Sequence, residues 1–161
     1  MAADMFLKMD GIEGESSDDK HKNEIEVESF SWGVTQTGTF AFGGGGGAGK
    51  AQFNDFHFVT NTSKASPKLF LACATGEHIK DATLSVRKSG SDSKQDYLFI
   101  KMTDVLVSSY QTGGSQGGGN PVDQVSLNFA KIEYSFKPQK PDGSLDAAIV
   151  AGWDLKLNKK V

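Results

Sequence analysis

One stretch of this chain, SKASPKLFLACATG, has the chemistry of an α-helix at both of its ends, and it predicts a helix over about Ser63–Thr75. Ser66 can cap the first turn through its hydroxyl, and Pro67 fits that turn because its missing N–H costs nothing there. Gly76 suits the left-handed position that ends a helix. The first residue stays open, since Ser63 or Lys64 could equally begin the helix. A helix this short is unstable alone in water, so it must pack on other elements.

The apolar residues of this helix recur at three- and four-residue spacing, which predicts a single buried stripe. The stripe consists of Leu69, Phe70, Ala72 and Cys73. A single cysteine cannot form an internal disulfide, so we expect Cys73 to be a buried, inert thiol. The alternative is a reactive nucleophile.

Nearly every other patterned stretch alternates apolar and polar residues with the period of two that is typical of β-strands. In two of them the apolar face changes part-way, which indicates a bulge or packing on both faces; in the later one we place the bulge near Ala130. The predicted strands cover residues 5–9, 25–32, 35–42, 52–60, 82–88, 97–112, 122–137 and 149–157. The sequence therefore predicts a single mainly β domain of 161 residues. Its fold is an antiparallel barrel or sandwich of about eight or nine strands with one flanking α-helix.

The charge balance argues against several classes of partner. The chain has 17 basic and 20 acidic residues, a net charge of −3. Without a basic run, nucleic acid and anionic membranes are poor partners. No stretch approaches the roughly 18 apolar residues of a membrane-spanning helix. The first residues do not resemble a signal peptide, so we expect cytoplasmic folding and any export to proceed without a cleaved leader.

No pattern in the sequence predicts a catalytic, cofactor or metal site. Residues 44–50, GGGGAGK, match the start of a phosphate-binding loop, but Ala51 replaces the magnesium-binding hydroxyl and a strand pattern follows. His21, His57 and His78 are not spaced as metal ligands. No serine lies in a nucleophile elbow, and no pair of carboxylates is placed for acid–base chemistry. The sequence therefore predicts a structural building block and not an enzyme.

A polar segment at residues 11–24 separates the first two predicted strands. Unstructured segments of this length are uncommon in compact domains and are often functional. It is either a solvated surface loop or an arm that reaches a partner. Its central charged residues are Glu15, Asp18, Asp19, Lys20, His21 and Lys22.

An ordered set of motifs resembles the Hcp family (haemolysin-coregulated protein), the tube protein of bacterial type VI secretion systems. The set begins with DMFLKMDGIEGESSDDKHKNEIEVESFSWG and continues with the GGGGGAGK loop and SPKLFLACATGEHI. It ends with ATLSVRKSG, VLVSSYQTGGS and NFAKIEYSFKPQKPDGS. The resemblance covers essentially the whole chain, and the order of the motifs is far more specific than any one of them.

The resemblance implies a structural subunit that assembles into hexameric rings with a wide channel. Such rings stack into a hollow tube inside a contractile sheath, behind a VgrG-type spike. The tube protein is itself exported and can carry small effector proteins in its lumen, and the family's role involves no catalytic residue, cofactor or metal. The alternative is a monomeric ligand-binding β-barrel, for example a lectin-like module; an enzyme ranks third.

The resemblance also suggests roles for individual residues. The arm, residues 12–24, should reach towards the next ring or subunit through its mixed charges. Phe30 and Trp32 should point into the barrel, so that Ser29 and Ser31 face the lumen. The helix should brace the barrel with Leu69, Phe70 and Cys73 packed inward. Its exposed side, with Lys64 and Lys68, would then border a neighbouring subunit.

Overall fold

The computed structural model describes residues 3–38, 49–88 and 95–161. The described residues form one helix and eleven strands. The first strands are β1 (Ala3–Met9), β2 (Ile25–Glu26), β3 (Ser29–Ser31), β4 (Val34–Thr35), β5 (Gln52–Phe53) and β6 (Phe56–Asn61). Then come the helix α1 (Ala65–Thr75) and β7 (His78–Lys88), β8 (Asp96–Gly113), β9 (Val122–Phe136), β10 (Ile149–Asp154) and β11 (Lys159–Lys160). Most of the glycine-rich segment at residues 43–49, with its phosphate-loop pattern, lies outside the described residues.

Nine of the strands form a single antiparallel sheet that curls back on itself. Its main order is β11-β10-β9-β8-β7-β1-β2, and β6 pairs with both β9 and β3. β2 bonds to β1 at one end of the sheet, whereas β3, the next strand along the chain, bonds to β6. The strands β4 and β5 pair with each other in a separate two-stranded sheet. The result is a sandwich-like structure with a flanking helix, which confirms the predicted fold class.

In the long strands β8 and β9, the face that carries the buried side chains changes part-way along the strand. In β8, Ile100 and Met102 are buried, and beyond Asp104 the buried positions are Val105 and Val107. Asp104 has a left-handed backbone (φ 56°), and it lies opposite Ala130 of β9, whose carbonyl accepts a hydrogen bond from the Leu155 N–H at 2.8 Å. The buried residues therefore switch between even-numbered and odd-numbered positions at the same level in β8 and in β9.

The predicted bulge near Ala130 is wrong. Thr103 pairs with Lys131 and Val105 with Phe129, so the register of the β8–β9 ladder is the same on both sides of Ala130. The ladder shifts instead between Val107 and Ser109. The change of parity in β9 thus comes from an interruption shared by both strands and not from an extra residue in one of them.

The helix α1 ends where the sequence predicts and begins differently. Gly76 has a left-handed backbone (φ 71°), and its N–H donates to the Ala72 carbonyl at 3.1 Å, which closes the helix. The N-cap position is Lys64, so the predicted cap at Ser66 is wrong. Ser66 lies within the first turn, where its hydroxyl donates to the carboxylate of Asp123.

The same carboxylate fastens the start of the helix to the sheet. Asp123 in β9 is fully buried, and it also accepts a hydrogen bond from the Thr62 hydroxyl at 2.8 Å. Tyr110 packs against the core nearby, and burial raises the pKa of its phenol. A buried, hydrogen-bonded acid thus fixes this end of α1 to the sheet, while the Ser63 hydroxyl accepts a hydrogen bond from the Ala65 N–H at 3.2 Å.

The buried stripe of α1 is narrower than predicted. Leu69 and Ala72 are buried, and Cys73 is half-buried against the core. Phe70 is 58% exposed, so its predicted inward packing is wrong; its ring lies beside Tyr110, with 6.5 Å between the ring centroids. With its 11 residues, α1 cannot span a membrane, and no other helix occurs in the described part of the chain.

Candidate assembly surfaces

The arm (residues 12–24) folds back along itself as a tight loop. Its two limbs are joined by hydrogen bonds from the Gly14 N–H to the Asn23 carbonyl (2.9 Å) and from the Asn23 N–H to the Ser16 carbonyl (2.8 Å). A Cβ atom on Gly14 would lie 2.5 Å from the carbonyl oxygen of Glu24. Only glycine allows this close approach of the two limbs.

An ion pair ties the middle of the arm to the sheet. The Asp18 carboxylate accepts two hydrogen bonds from the guanidinium of Arg87 in β7, the longer of them 3.1 Å from Nη1 to Oδ1. Both side chains are largely buried, with 7% of Arg87 and 14% of Asp18 exposed. The bond to Asp18 raises the pKa of Arg87 above its ordinary value. The guanidinium also lies 5.1 Å from the centre of the Phe6 ring.

The end of the arm is tied to the sheet by a histidine. His21 is buried, and its Nδ1 lies 2.9 Å from the Glu24 carboxylate. Its Nε2 lies 3.0 Å from the carboxylate of Asp96, the first residue of β8. The imidazole stacks on the Phe6 ring at 4.4 Å between centroids, with 9° between the planes. Phe6 thus lies beneath both groups that hold the arm.

The six arm residues selected from the sequence therefore divide into two sets. Asp18 and His21 face the sheet of their own chain, whereas Glu15, Asp19, Lys20 and Lys22 are exposed. Glu15 also accepts a hydrogen bond from the backbone N–H of Lys64, at 2.9 Å. The arm is held in place by its own subunit, and contact with another ring remains a prediction.

Sequence reasoning missed the residues of the sheet that hold the arm: Phe6, Arg87 and Asp96. A signal was present in β1. Leu7 and Met9 define its core face, yet Phe6 on the opposite face is an aromatic residue that water alone should not cover. Because an apolar ring at this position lies on the face of β1 that points away from the core, another segment must cover this side of the strand.

The predicted orientation of β3 is confirmed. Phe30 packs against the core and stacks on Phe56, with 5.8 Å between the ring centroids. Trp32 meets Tyr134 edge-on, with 5.7 Å between the centroids. Ser29 and Ser31 are exposed on the other face. Whether that face lines a lumen stays a prediction.

The surface around Ser31 is polar and hydrogen-bonded. Ser31 pairs with His57 of β6, which in turn pairs with Ser126 of β9, so the three side chains form a row across the sheet. The His57 Nδ1 lies 2.6 Å from the Ser126 hydroxyl. Beside the row, Asp55 accepts hydrogen bonds from Ser108 (2.6 Å) and from Asn128 (3.0 Å).

A contrasting apolar surface lies towards the other end of β9, where β10 pairs with it. Ile149 pairs with Phe136, and Ala151 pairs with Tyr134, so these side chains share one face. Ile149 is 67% exposed, and Phe136 and Tyr134 are 42% and 40% exposed. β10 ends at Asp154, three residues short of the predicted strand, and Leu157 lies exposed in the turn that follows. We call Tyr134, Phe136, Ile149 and Ala151 the apolar face.

The described residues contain no group of three or more histidine, cysteine, aspartate or glutamate side chains that could hold a metal ion. The surfaces that stand out are instead the clamped arm, the polar row and the apolar face. These features suit contacts with macromolecules better than chemistry on a small substrate.

Comparison with known proteins gives a consistent result. Residues 6–136 match the family described as "Type VI secretion system effector, Hcp". The chain is 46% identical over 159 residues to Protein hcp1 of Pseudomonas aeruginosa, covering 98% of each chain. The crystal structure of Hcp1 from Salmonella typhimurium has a TM-score of 0.82 at 36% identity and covers both chains completely. A structure described as a type six secretion system protein has a TM-score of 0.93 at 33% identity, covering 99% of this chain and 100% of that one. This chain therefore belongs to the Hcp family of type VI secretion system proteins.

Proposed function

We propose that this protein is the structural subunit of a type VI secretion tube. Six copies form a ring, and the rings stack into a hollow tube that is exported with effector proteins in its lumen. Membership of the Hcp family over nearly the whole chain supports this role. The observation that favours assembly most directly is the exposed apolar face on β9 and β10.

The apolar face calls for a partner on physical grounds. Removing apolar side chains such as Ile149 and Phe136 from water is favourable, so their exposure in a single chain is costly. Adjoining exposed apolar residues of this kind typically mark an interface. β11 beyond them is an edge strand whose unpaired side favours association. A second copy that covers this face with a different surface of its own makes a head-to-tail contact. Such contacts close into a ring when the rotation permits.

The ring is tested by the mass of the particle in solution. We expect light scattering to give six times the 17.2 kDa of one chain and micrographs to show ring-shaped particles. A single species of 17.2 kDa without rings would refute the proposal and favour the monomeric ligand-binding module.

A pair of matched variants tests the apolar face itself. Ile149→Lys places a charge on it, and we expect smaller particles with an unchanged circular dichroism spectrum. Leu71→Lys is the comparison, because Leu71 is similarly exposed, 57%, but lies on the helix side that forms the other predicted border with a neighbouring subunit. If the apolar face is the main contact, rings are lost in Ile149→Lys and weakened less or not at all in Leu71→Lys. Rings lost only in Leu71→Lys would assign the interface to the helix, on the side where Lys64 and Lys68 lie.

We further propose that the exposed charges of the arm set how rings stack. Lys22→Glu changes an outward charge without touching the contacts of Asp18 or His21. We expect it to leave rings intact and to shorten tubes at low salt, where surface charges act most strongly. Tubes of unchanged length at low and moderate salt would count against this role.

For the lumen, we propose that Ser29 and Ser31 line the channel wall. Their exposure and the polar row beside Ser31 support this assignment. Ser31→Trp should reduce effector retention while hexamers persist. Broken hexamers would instead place Ser31 at a subunit interface. The contractile sheath outside the tube and a VgrG-type spike at its tip complete the set of proposed partners.

A further inference from the structure

The contacts of His21 require more protons than a neutral imidazole carries. Both ring nitrogens lie within hydrogen-bonding distance of carboxylates, 2.9 Å from Glu24 and 3.0 Å from Asp96. A neutral imidazole has one N–H, and an ionised carboxylate only accepts hydrogen bonds. Both contacts are hydrogen bonds only when the three groups together hold one additional proton. That proton can sit on a ring nitrogen or on either carboxylate, so it belongs to the cluster and not to one residue.

Charged groups from several elements surround the cluster. Asp4 on β1 and Asp18 on the arm add two carboxylates to Glu24 and Asp96. Arg87 on β7 opposes them but is engaged by Asp18, and Lys20 and Lys137 border the cleft beside Asp96. Phe6 covers one face of the imidazole and keeps water from it. The two groups in direct contact with His21 are both carboxylates.

We propose that His21, Glu24 and Asp96 form a proton-dependent latch for the arm. With its proton, the imidazolium bridges the arm to the start of β8 through two charge-assisted bonds. Without the proton, one nitrogen presents a lone pair to a carboxylate, and that contact becomes repulsive. The arm is therefore held firmly in mildly acidic solution and opens more readily in alkaline solution. The Asp18–Arg87 pair and the backbone bonds of the arm remain, so the change is local opening and not unfolding.

Hydrogen exchange of the full-length protein measures this opening. Rates for peptides spanning residues 15–24 are compared at about pH 6 and about pH 8.5, which bracket the ordinary titration of histidine, after correction for intrinsic exchange. We expect protection of the arm to fall about ten-fold or more between them, the loss of one charge-assisted hydrogen bond. Peptides from β8 beyond residue 100 should change little. Equal protection of the arm at both pH values would overturn the latch.

Asp96→Asn is the matched variant. An asparagine amide can donate to the unprotonated Nε2 of a neutral His21 while Nδ1–H still donates to Glu24. The contact then survives without the additional proton, so we expect the protection of the arm to become independent of pH. A pH dependence that persisted in Asp96→Asn would also overturn the proposal.

A second measurement needs no variant. In protein labelled with 15N-histidine, the nitrogen chemical shifts of His21 at about pH 6 should show that both ring nitrogens are hydrogen-bonded. Either each nitrogen carries a proton, or one of them shares a proton with the carboxyl group that it contacts. Signals of a neutral imidazole with no bond from one nitrogen would contradict the latch. His57 and His78 provide internal references, since each has a single bonded nitrogen among the described contacts.

Discussion

Removing the Asp18 carboxylate should destabilise the fold even though the residue lies in a surface segment. In Asp18→Ala, Arg87 keeps its charge and its burial but loses the two hydrogen bonds that compensate for them. Uncompensated loss of one partner of a buried pair costs about 3–5 kcal/mol. Here Asp4 remains, 3.7 Å from Arg87 Nε, and the 14% exposure of Asp18 lets water reach the site. We therefore expect the free energy of unfolding to fall by about 2–3 kcal/mol.

Urea unfolding of Asp18→Ala measures this loss, at a protein concentration where all variants have the same oligomeric state. Glu13→Ala is the control, because this carboxylate of the arm is exposed. We expect it to change stability by no more than about 0.5 kcal/mol. In an Asp18→Ala, Arg87→Met double variant the losses should not add, because no unpaired charge is left buried. An Asp18→Ala variant as stable as Glu13→Ala would refute the structural role of the pair.

Three further tests, each using one or two substitutions, address other parts of the structure. Gly14→Ala forces apart the two limbs of the arm and should lower stability by about 1–3 kcal/mol, measured by thermal unfolding, whereas Gly113→Ala, with open space around it, should have little effect. Asp123→Ala deprives the Ser66 and Thr62 hydroxyls of their acceptor and should cost about 2–4 kcal/mol, with faster proteolysis near the start of α1. Leu69→Ala should cost about 2–5 kcal/mol and Phe70→Ala less than about 1 kcal/mol in the isolated chain; the reverse order would contradict the orientation of α1.

Local patterns allowed most of the fold to be predicted from the sequence. Alternation located most of the strands, although the predicted strand at 35–42 lies partly outside the described residues, and Gly76 located the end of the helix, because backbone geometry depends on neighbouring residues. Phe70 was misplaced because it is next to Leu69 in the chain, and spacing alone does not decide which flank of an apolar stripe turns inward. Ser66 was misassigned because the helix begins before it, with its N-cap at Lys64. The Ser66 hydroxyl accepts from the Ser63 N–H at 3.0 Å and donates to Asp123, which is 57 residues away.

The internal role of the arm was beyond local reasoning for the same reason. A run of charged residues is usually solvated, and this one predicted either a loop or an outward-reaching arm. Its fastening depends on Arg87, 69 residues from Asp18, and on Asp96, 75 residues from His21. Contacts over such separations leave no periodic signal in the sequence. The position of Phe6, an aromatic residue on the face of β1 opposite Leu7 and Met9, was the one local indication that the arm packs on β1.

The end of the chain shows why an alternating pattern can predict burial that a single subunit does not provide. Residues 149–157 have the most regular alternation in the sequence, yet Ile149 and Leu157 are among the most exposed apolar side chains described. Alternation indicates that one face of a strand is shielded from water, but it does not say which molecule shields it. Within one chain the shield covers only part of this stretch, because Trp153 and Leu155 pack against the core whereas Ile149 and Leu157 stay exposed. In the proposed ring a second copy covers the start of β10, so the alternation there describes the assembled state, while the patterns in β7 and β8 describe the subunit.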